Sequence, residues 1–207
     1  FKNNKKKKYL VAPLVRKKIF ISKKQTRESL SFWASKGINI NKGKHFSFVG
    51  SLSNAFDFNF IYEIASFLNS YSQKYIFVIC GTGEKYEELN YMFKDLKNVF
   101  IIGEVDQYSA SLLIRNSIAT LAPYQNNPNF RNSIPNKVIE SLENSVPFIT
   151  NTEGELENLI KKYENGIFIR KNNRDILKII RLTKDKAYLK ILRKNACKSY
   201  KNLFSFN

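Results

Sequence analysis

Four residues close together, Ser133, Asn136, Lys137 and Glu140, carry the sharpest chemical signal in this sequence. Pro135 stands among them, and proline suits the first turn of a helix because its φ is preset and its missing N–H would be unpaired there anyway. A helix beginning near Pro135 sets unpaired backbone N–H groups and the positive end of its dipole beside Ser133, Asn136 and Lys137. Hydroxyl, amide and ammonium can then act together on a diphosphate. Glu140 follows Lys137 by three residues and Asn136 by four, a spacing that puts all three on one helical face. A carboxylate one turn further in can accept hydrogen bonds from both hydroxyls of a ribose. A solvent-facing Lys137–Glu140 pair behind an ordinary proline helix opener has the same pattern.

Two glycine motifs could serve the same chemistry. In Ile79-Cys80-Gly81-Thr82-Gly83-Glu84, two glycines open a helix directly after an apolar run, so the helix start can face a phosphate. It is not the dinucleotide fingerprint, because Tyr86 stands where the third glycine would be, and no Walker lysine follows. In Phe48-Val49-Gly50-Ser51-Leu52-Ser53, glycine allows close approach of a ligand to the backbone and the hydroxyls can donate to it. A tight strand-to-helix turn would call for the same glycines.

The elements that must position these residues alternate regularly. Apolar runs at 46–50, 75–80, 98–102, 118–122, 146–150 and 167–169 read as strands, with Gly103 closing the third. Helical patterns lie between them, at 58–68, 84–94, 107–115, from Pro135 onward and at 155–162; 124–134 reads as a polar loop. Helices at 174–182 and 186–203 close the chain. This alternation predicts an α/β fold with a doubly wound parallel sheet, whose ligands bind beyond the C-terminal ends of the strands. Residues 18–22 read as a strand and 25–36 as a helix, too little for a core of their own, so they are assigned to another domain or subunit.

Composition narrows the classes. In 207 residues, 43% hydrophobic side chains suffice for a sizeable core, and no window has the run of about 18 apolar residues that a membrane span needs. The net charge of +18 reads as lysine used as the default surface residue. Its concentrations at Lys5–Lys8 and Arg16–Lys24 suit an anionic membrane surface, and no nucleic-acid motif accompanies them. Cys80 and Cys197 read as free thiols of a reducing compartment. With one histidine, His45, and no Asp-x-Asp triplet, no metal and no cofactor are expected.

The succession FVGSLS (48–53), CGTGE (80–84), NVFIIGEV (98–105), TLAPY (120–124), SIPNKVIESLENSVPFIT (133–150) and ENGIFI (164–169) resembles the C-terminal, donor-binding domain of family 4 glycosyltransferases of the two-lobed GT-B type. The resemblance covers about residues 45–204, and its most diagnostic piece is the S-x-P-N-K-x-x-E helix leading into V-P-x-I. It implies transfer of a sugar from a nucleoside diphosphate sugar to a hydroxyl of a glycan or lipid-linked acceptor, in the cytoplasm or on the inner face of the cytoplasmic membrane. Gly50 and Ser51 would line the diphosphate, Gly81 and Gly83 the nucleotide cleft, and the stretch with Gly103 and Glu104 the base. Asn136 and Lys137 would lie near the diphosphate and sugar, with Ser133 beside them, and Glu140 would hold the ribose as the second glutamate of the family's E-x7-E motif. The implied domains are 1–44, a remnant of the acceptor lobe and linker; 45–170, the nucleotide-sugar domain; and 171–207, C-terminal helices. The rest of the acceptor lobe would come from a longer chain or a partner subunit. Three positions depart from the family: Asn132 replaces the first glutamate, 51–57 lacks a cation, and Ser145 replaces the usual glycine before the fifth strand.

Overall fold

The computed structural model describes residues 19–72, 74–170 and 173–205; the basic clusters at 5–8 and 16–18 lie outside them. Helix α1 (Lys23–Ser35) and a 3-10 turn (Ile40–Lys42) precede a six-stranded, wholly parallel sheet. The strands are β1 (His45–Val49), β2 (Ile76–Cys80), β3 (Val99–Gly103), β4 (Ala119–Leu121), β5 (Phe148–Thr150) and β6 (Gly166–Phe168). Between them run α2 (Phe58–Tyr71), α3 (Tyr86–Phe93), α4 (Gln107–Asn116), α5 (Pro128–Arg131), α6 (Asn136–Glu143) and α7 (Glu155–Tyr163), with α8 (Asn173–Lys184) and α9 (Lys186–Leu203) at the end. The order β3-β2-β1-β4-β5-β6 reverses direction between β1 and β4, which opens a crevice at the C-terminal ends of those two strands. The doubly wound α/β expectation holds.

Strand β2 explains how the sheet is covered on both faces. Successive side chains of a strand point to opposite sides. Phe77 and Ile79 join the large core cluster, whereas Val78 and Cys80 join a smaller one with Trp33, Ile38, Ile40 and Leu113. Phe46 stacks on Phe77 with ring centroids 5.1 Å apart. Burial pushes the Cys80 thiol up to about 12, so it behaves as a small apolar side chain.

The smaller cluster overturns one expectation. Residues 23–42 do not stand apart: Trp33 is fully buried, its Nε1 donates to Ser109 O at 3.1 Å, and Ser109 Oγ donates to Ser29 Oγ at 3.2 Å. These residues cover one face of β2, a face that would otherwise meet water. Residues 19–22 are not a strand either. Phe20 is 82% exposed, and Ser22 caps α1 in a reciprocal capping box with Gln25. A short apolar run without a neighbouring strand has nowhere to pair.

The polar stretch after β4 contains α5, started by Asn127, whose side chain accepts from the N–H groups of Asn129 and Phe130, with Pro128 as the first helical residue. Helix α6 ends with Ser145 N donating to Leu142 O (2.9 Å) and Val146 N to Ser141 O (3.0 Å). That is a Schellman motif with Ser145 in the left-handed region at φ 57°. A glycine would sit there without strain.

Candidate functional site

The C-terminal ends of β1, β2 and β3 meet as a ladder of glycines. Gly50 N donates to Cys80 O (2.9 Å) and Gly81 N to Gly103 O (2.6 Å). A Cβ on Gly81 would lie 1.8 Å from Gly50 O, and one on Gly83 would lie 2.4 Å from Leu52 O. Both glycines have positive φ, 143° and 152°. Close backbone packing between the β1 and β2 loops is therefore what requires Gly81 and Gly83. Gly103 faces open space and is set by its φ of 77° alone.

Lys137 reaches this ladder from α6. Its Nζ donates to Val49 O at 2.6 Å and lies 5.0 Å and 5.2 Å from the ring centroids of Phe48 and Phe56. A Cβ on Gly50 would sit 1.4 Å from that Nζ. Glycine at position 50 is thus what lets the ammonium lie against the β1 backbone.

The floor of the crevice is drawn tight by loop-to-loop bonds. Asp57 N donates to Pro123 O (2.6 Å), Gln125 N to Ala55 O (3.0 Å), and Phe56 bridges Tyr124. The rings of Phe48, Phe56, Tyr124 and Phe130 pack in sequence beneath. Where the resemblance leads one to look for a phosphate-binding cation, this chain has an aromatic cluster with Lys137 above it.

Electrostatics single out α6. Asp57 caps α2, Asp106 caps α4 and Asn127 caps α5. Helices α3 and α7 lack a side-chain cap but carry Glu87, Glu88 and Glu155, Glu157 in their first turns. Among these described helices, α6 alone has neither a capping side chain nor a first-turn acid, so its positive pole is uncompensated. Burial would raise Asp106, but hydrogen bonds from Ser109 and Tyr108 outweigh it and hold its carboxyl below the usual range, which keeps the α4 cap charged.

The remaining predicted residues divide. Asn136, the first residue of α6, and Ser51 are exposed at the crevice rim, and Glu140 is half-buried one turn into α6. Asn132 and Ser133 are drawn toward α5: Asn132 N donates to Pro128 O (3.3 Å), and Ser133 Oγ donates to Asn129 O (2.9 Å). Glu104 is exposed beyond β3. Three links were not anticipated. Asn54 Nδ2 donates to Glu84 Oε1 (2.6 Å), Asn151 Nδ2 to Asp57 Oδ2 (3.0 Å), and Arg131 pairs with Glu153. Only Asp57 had a local signal, as the short polar residue just before an apolar helix. Among the described residues no three His, Cys, Asp or Glu side chains come together as a metal site would require.

The family described as Glycosyl transferases group 1 matches residues 33–199, most of the chain. The chain belongs to the group 1 glycosyltransferase family. No curated sequence relative matches. Solved structures of GT-B glycosyltransferases share its fold. Anabaena HepE in complex with UDP has a TM-score of 0.67 at 13% identity, over 89% of this chain and 50% of that one. The pneumococcal O-GlcNAc transferase GtfA, in complex with UDP and GlcNAc, gives 0.64 at 12%, over 89% and 41%. The catalytic domain of the Helicobacter pylori cholesterol-α-glucosyltransferase gives 0.62 at 14%, over 76% and 97%. This group 1 domain spans half or less of the length of the HepE and GtfA chains.

Proposed function

We propose that the chain is the C-terminal, donor-binding lobe of a family 4 glycosyltransferase, moving a sugar from a nucleoside diphosphate sugar to a hydroxyl of a glycan or lipid-linked acceptor. The observation that carries this reading is the uncompensated N-terminus of α6, with Lys137 lying against Gly50 at the β1/β4 crevice. Both supply positive potential where a departing diphosphate gains charge, which is stabilisation of a leaving group without a metal. Glu140, one turn into the same helix, takes the ribose. The acceptor and any general base belong to the other lobe, in the same polypeptide or a partner. The solved complexes of HepE and GtfA with UDP make UDP the first ligand to try. The free thiols Cys80 and Cys197 favour a reducing compartment, the cytoplasm, for the reaction.

Calorimetry of the full chain with UDP, GDP and their sugars tests this. One nucleotide should bind, Lys137→Met should weaken it about tenfold to a hundredfold, and Glu140→Ala should abolish binding with the melting curve unchanged. Failure of every nucleotide to bind, together with salt-sensitive binding of RNA or DNA, would sink the reading. Asn132 and the cation-free loop after Gly50 favour a second reading, a nucleotide-binding subunit that depends on a partner for catalysis. Transfer activity on supplying the missing lobe in the same polypeptide would reject it.

A further inference from the structure

The net charge of +18 is not spread evenly, and beside the N-terminal concentrations a further one lies in the C-terminal helices. From Ile19 to Asn172, seventeen basic residues face fifteen acidic ones. From Asn173 to Ser205, ten basic residues face two acidic ones. Helices α8 and α9 therefore hold nearly half of the excess within 33 residues.

The two helices present that charge on ordered faces. Helix α9 turns Leu192, Ala196 and Ser199 inward and exposes Lys190, Ile191, Lys194 and Lys198. Helix α8 buries Ile179 and Leu182 and exposes Leu177, Arg181 and Lys184, one turn apart. Leu177 and Ile191 are 60% and 53% exposed, the aliphatic members among the exposed large hydrophobic side chains of the described residues. Arg181 lines one recess with Ile191, where Glu157, Glu164 and Asp175 also stand, and a second with Leu177; its guanidinium lies 4.1 Å from the Tyr188 ring centroid and 3.8 Å from Asp185 Oδ2. Tyr71 is also exposed, with Lys184 Nζ 4.9 Å from its ring centroid.

We propose that the outward face of α8 and α9 docks on an anionic lipid bilayer. Cations interspersed with isolated large apolar side chains match both parts of such a surface: charged headgroups, and the shallow apolar layer beneath that takes Leu177 and Ile191. A tyrosine at the rim suits the interface as well. A nucleic-acid backbone offers no counterpart to the exposed aliphatics. The placement also leaves the donor crevice open. Tyr75 Oη donates to Thr183 O (3.0 Å) just before β2, and Arg193 donates to Ser117 O just before β4. The α8–α9 junction thus sits at the N-terminal ends of the strands, opposite the glycine ladder.

Co-sedimentation of the full chain with phosphatidylcholine vesicles, with and without phosphatidylglycerol, tests the proposal. Binding should require phosphatidylglycerol and fall steeply with added salt. Lys190→Gln/Lys194→Gln/Lys198→Gln should weaken it on the order of tenfold or more. Leu177→Ser/Ile191→Ser should weaken it several-fold at unchanged charge, and each variant should melt like the parent. The proposal is overturned if both variants bind like the parent while Lys5–Lys8→Gln does not bind, which would assign binding to the N-terminal cluster. Binding to RNA or DNA but not to vesicles would overturn it equally.

Discussion

The two ends of the β1 strand are built on opposite principles. At its C-terminal end a helix pole is left without a cap, and an ammonium lies against the backbone beside a glycine. At its N-terminal end, side-chain donors meet acceptors of the fold itself. His45 Nε2 donates to Leu113 O (2.9 Å), and Arg193 donates to Arg115 O and Ser117 O. Arg115 in turn donates to Ile19 O (2.6 Å) and Asn144 Oδ1 (2.9 Å). These bonds join the N-terminal segment, α4, α6 and α9. The contrast teaches that the uncapped helix pole stands at the end where a ligand could meet it, while side-chain bonds tie the other end across the fold.

The strongest way to break this contrast is Gly81→Ala. A Cβ there meets a backbone carbonyl that cannot move aside, so chemical denaturation should register a loss of about 3 kcal/mol or more. A loss below about 1 kcal/mol would show that the ladder is slack. Next in size is Arg193→Met, which leaves the carbonyls of Arg115 and Ser117 without their charged donor and should lower stability by about 2 kcal/mol while leaving nucleotide affinity unchanged. A drop in affinity would mean that the two ends are coupled.

The third test uses pH. Burial lowers the His45 pKa from its usual 6.5; its bond to Leu113 opposes that, and Arg193 adds to it. The unfolded chain therefore binds the proton more readily, and stability present above 6.5 is lost as pH falls below that value, by at most about 1.4 kcal/mol per pH unit. His45 is the one histidine in the sequence, so stability measured between about pH 6.5 and 5 isolates it. His45→Phe should flatten the slope over that range. The smallest effect is a gain: Ser145→Gly removes a left-handed serine and should raise stability by about 1 kcal/mol in a thermal melt.

Ser145 also shows what the sequence makes legible. Its departure from the family's glycine was visible in the chain, but the strain appears only with its φ of 57°. The alternation of strands and helices was readable because each buried strand is a short apolar run and each helix carries an amphipathic stripe. The start of α6 was readable from Pro135. What could not be read depends on distant partners. Trp33 finds Ser109 across 76 residues, and Lys137 finds Val49 across 88. No local pattern reveals that the ammonium at the helix start lies over two phenylalanine rings.

The seating of Trp33 decides where this domain can be cut. A boundary drawn at the first strand would remove α1 and bare the side of β2 that carries Val78 and Cys80, leaving an apolar surface free to bind other chains. The portable unit for expression or lobe exchange therefore begins at the Ser22 cap, and the helix ahead of the sheet travels with it as a fixed lining.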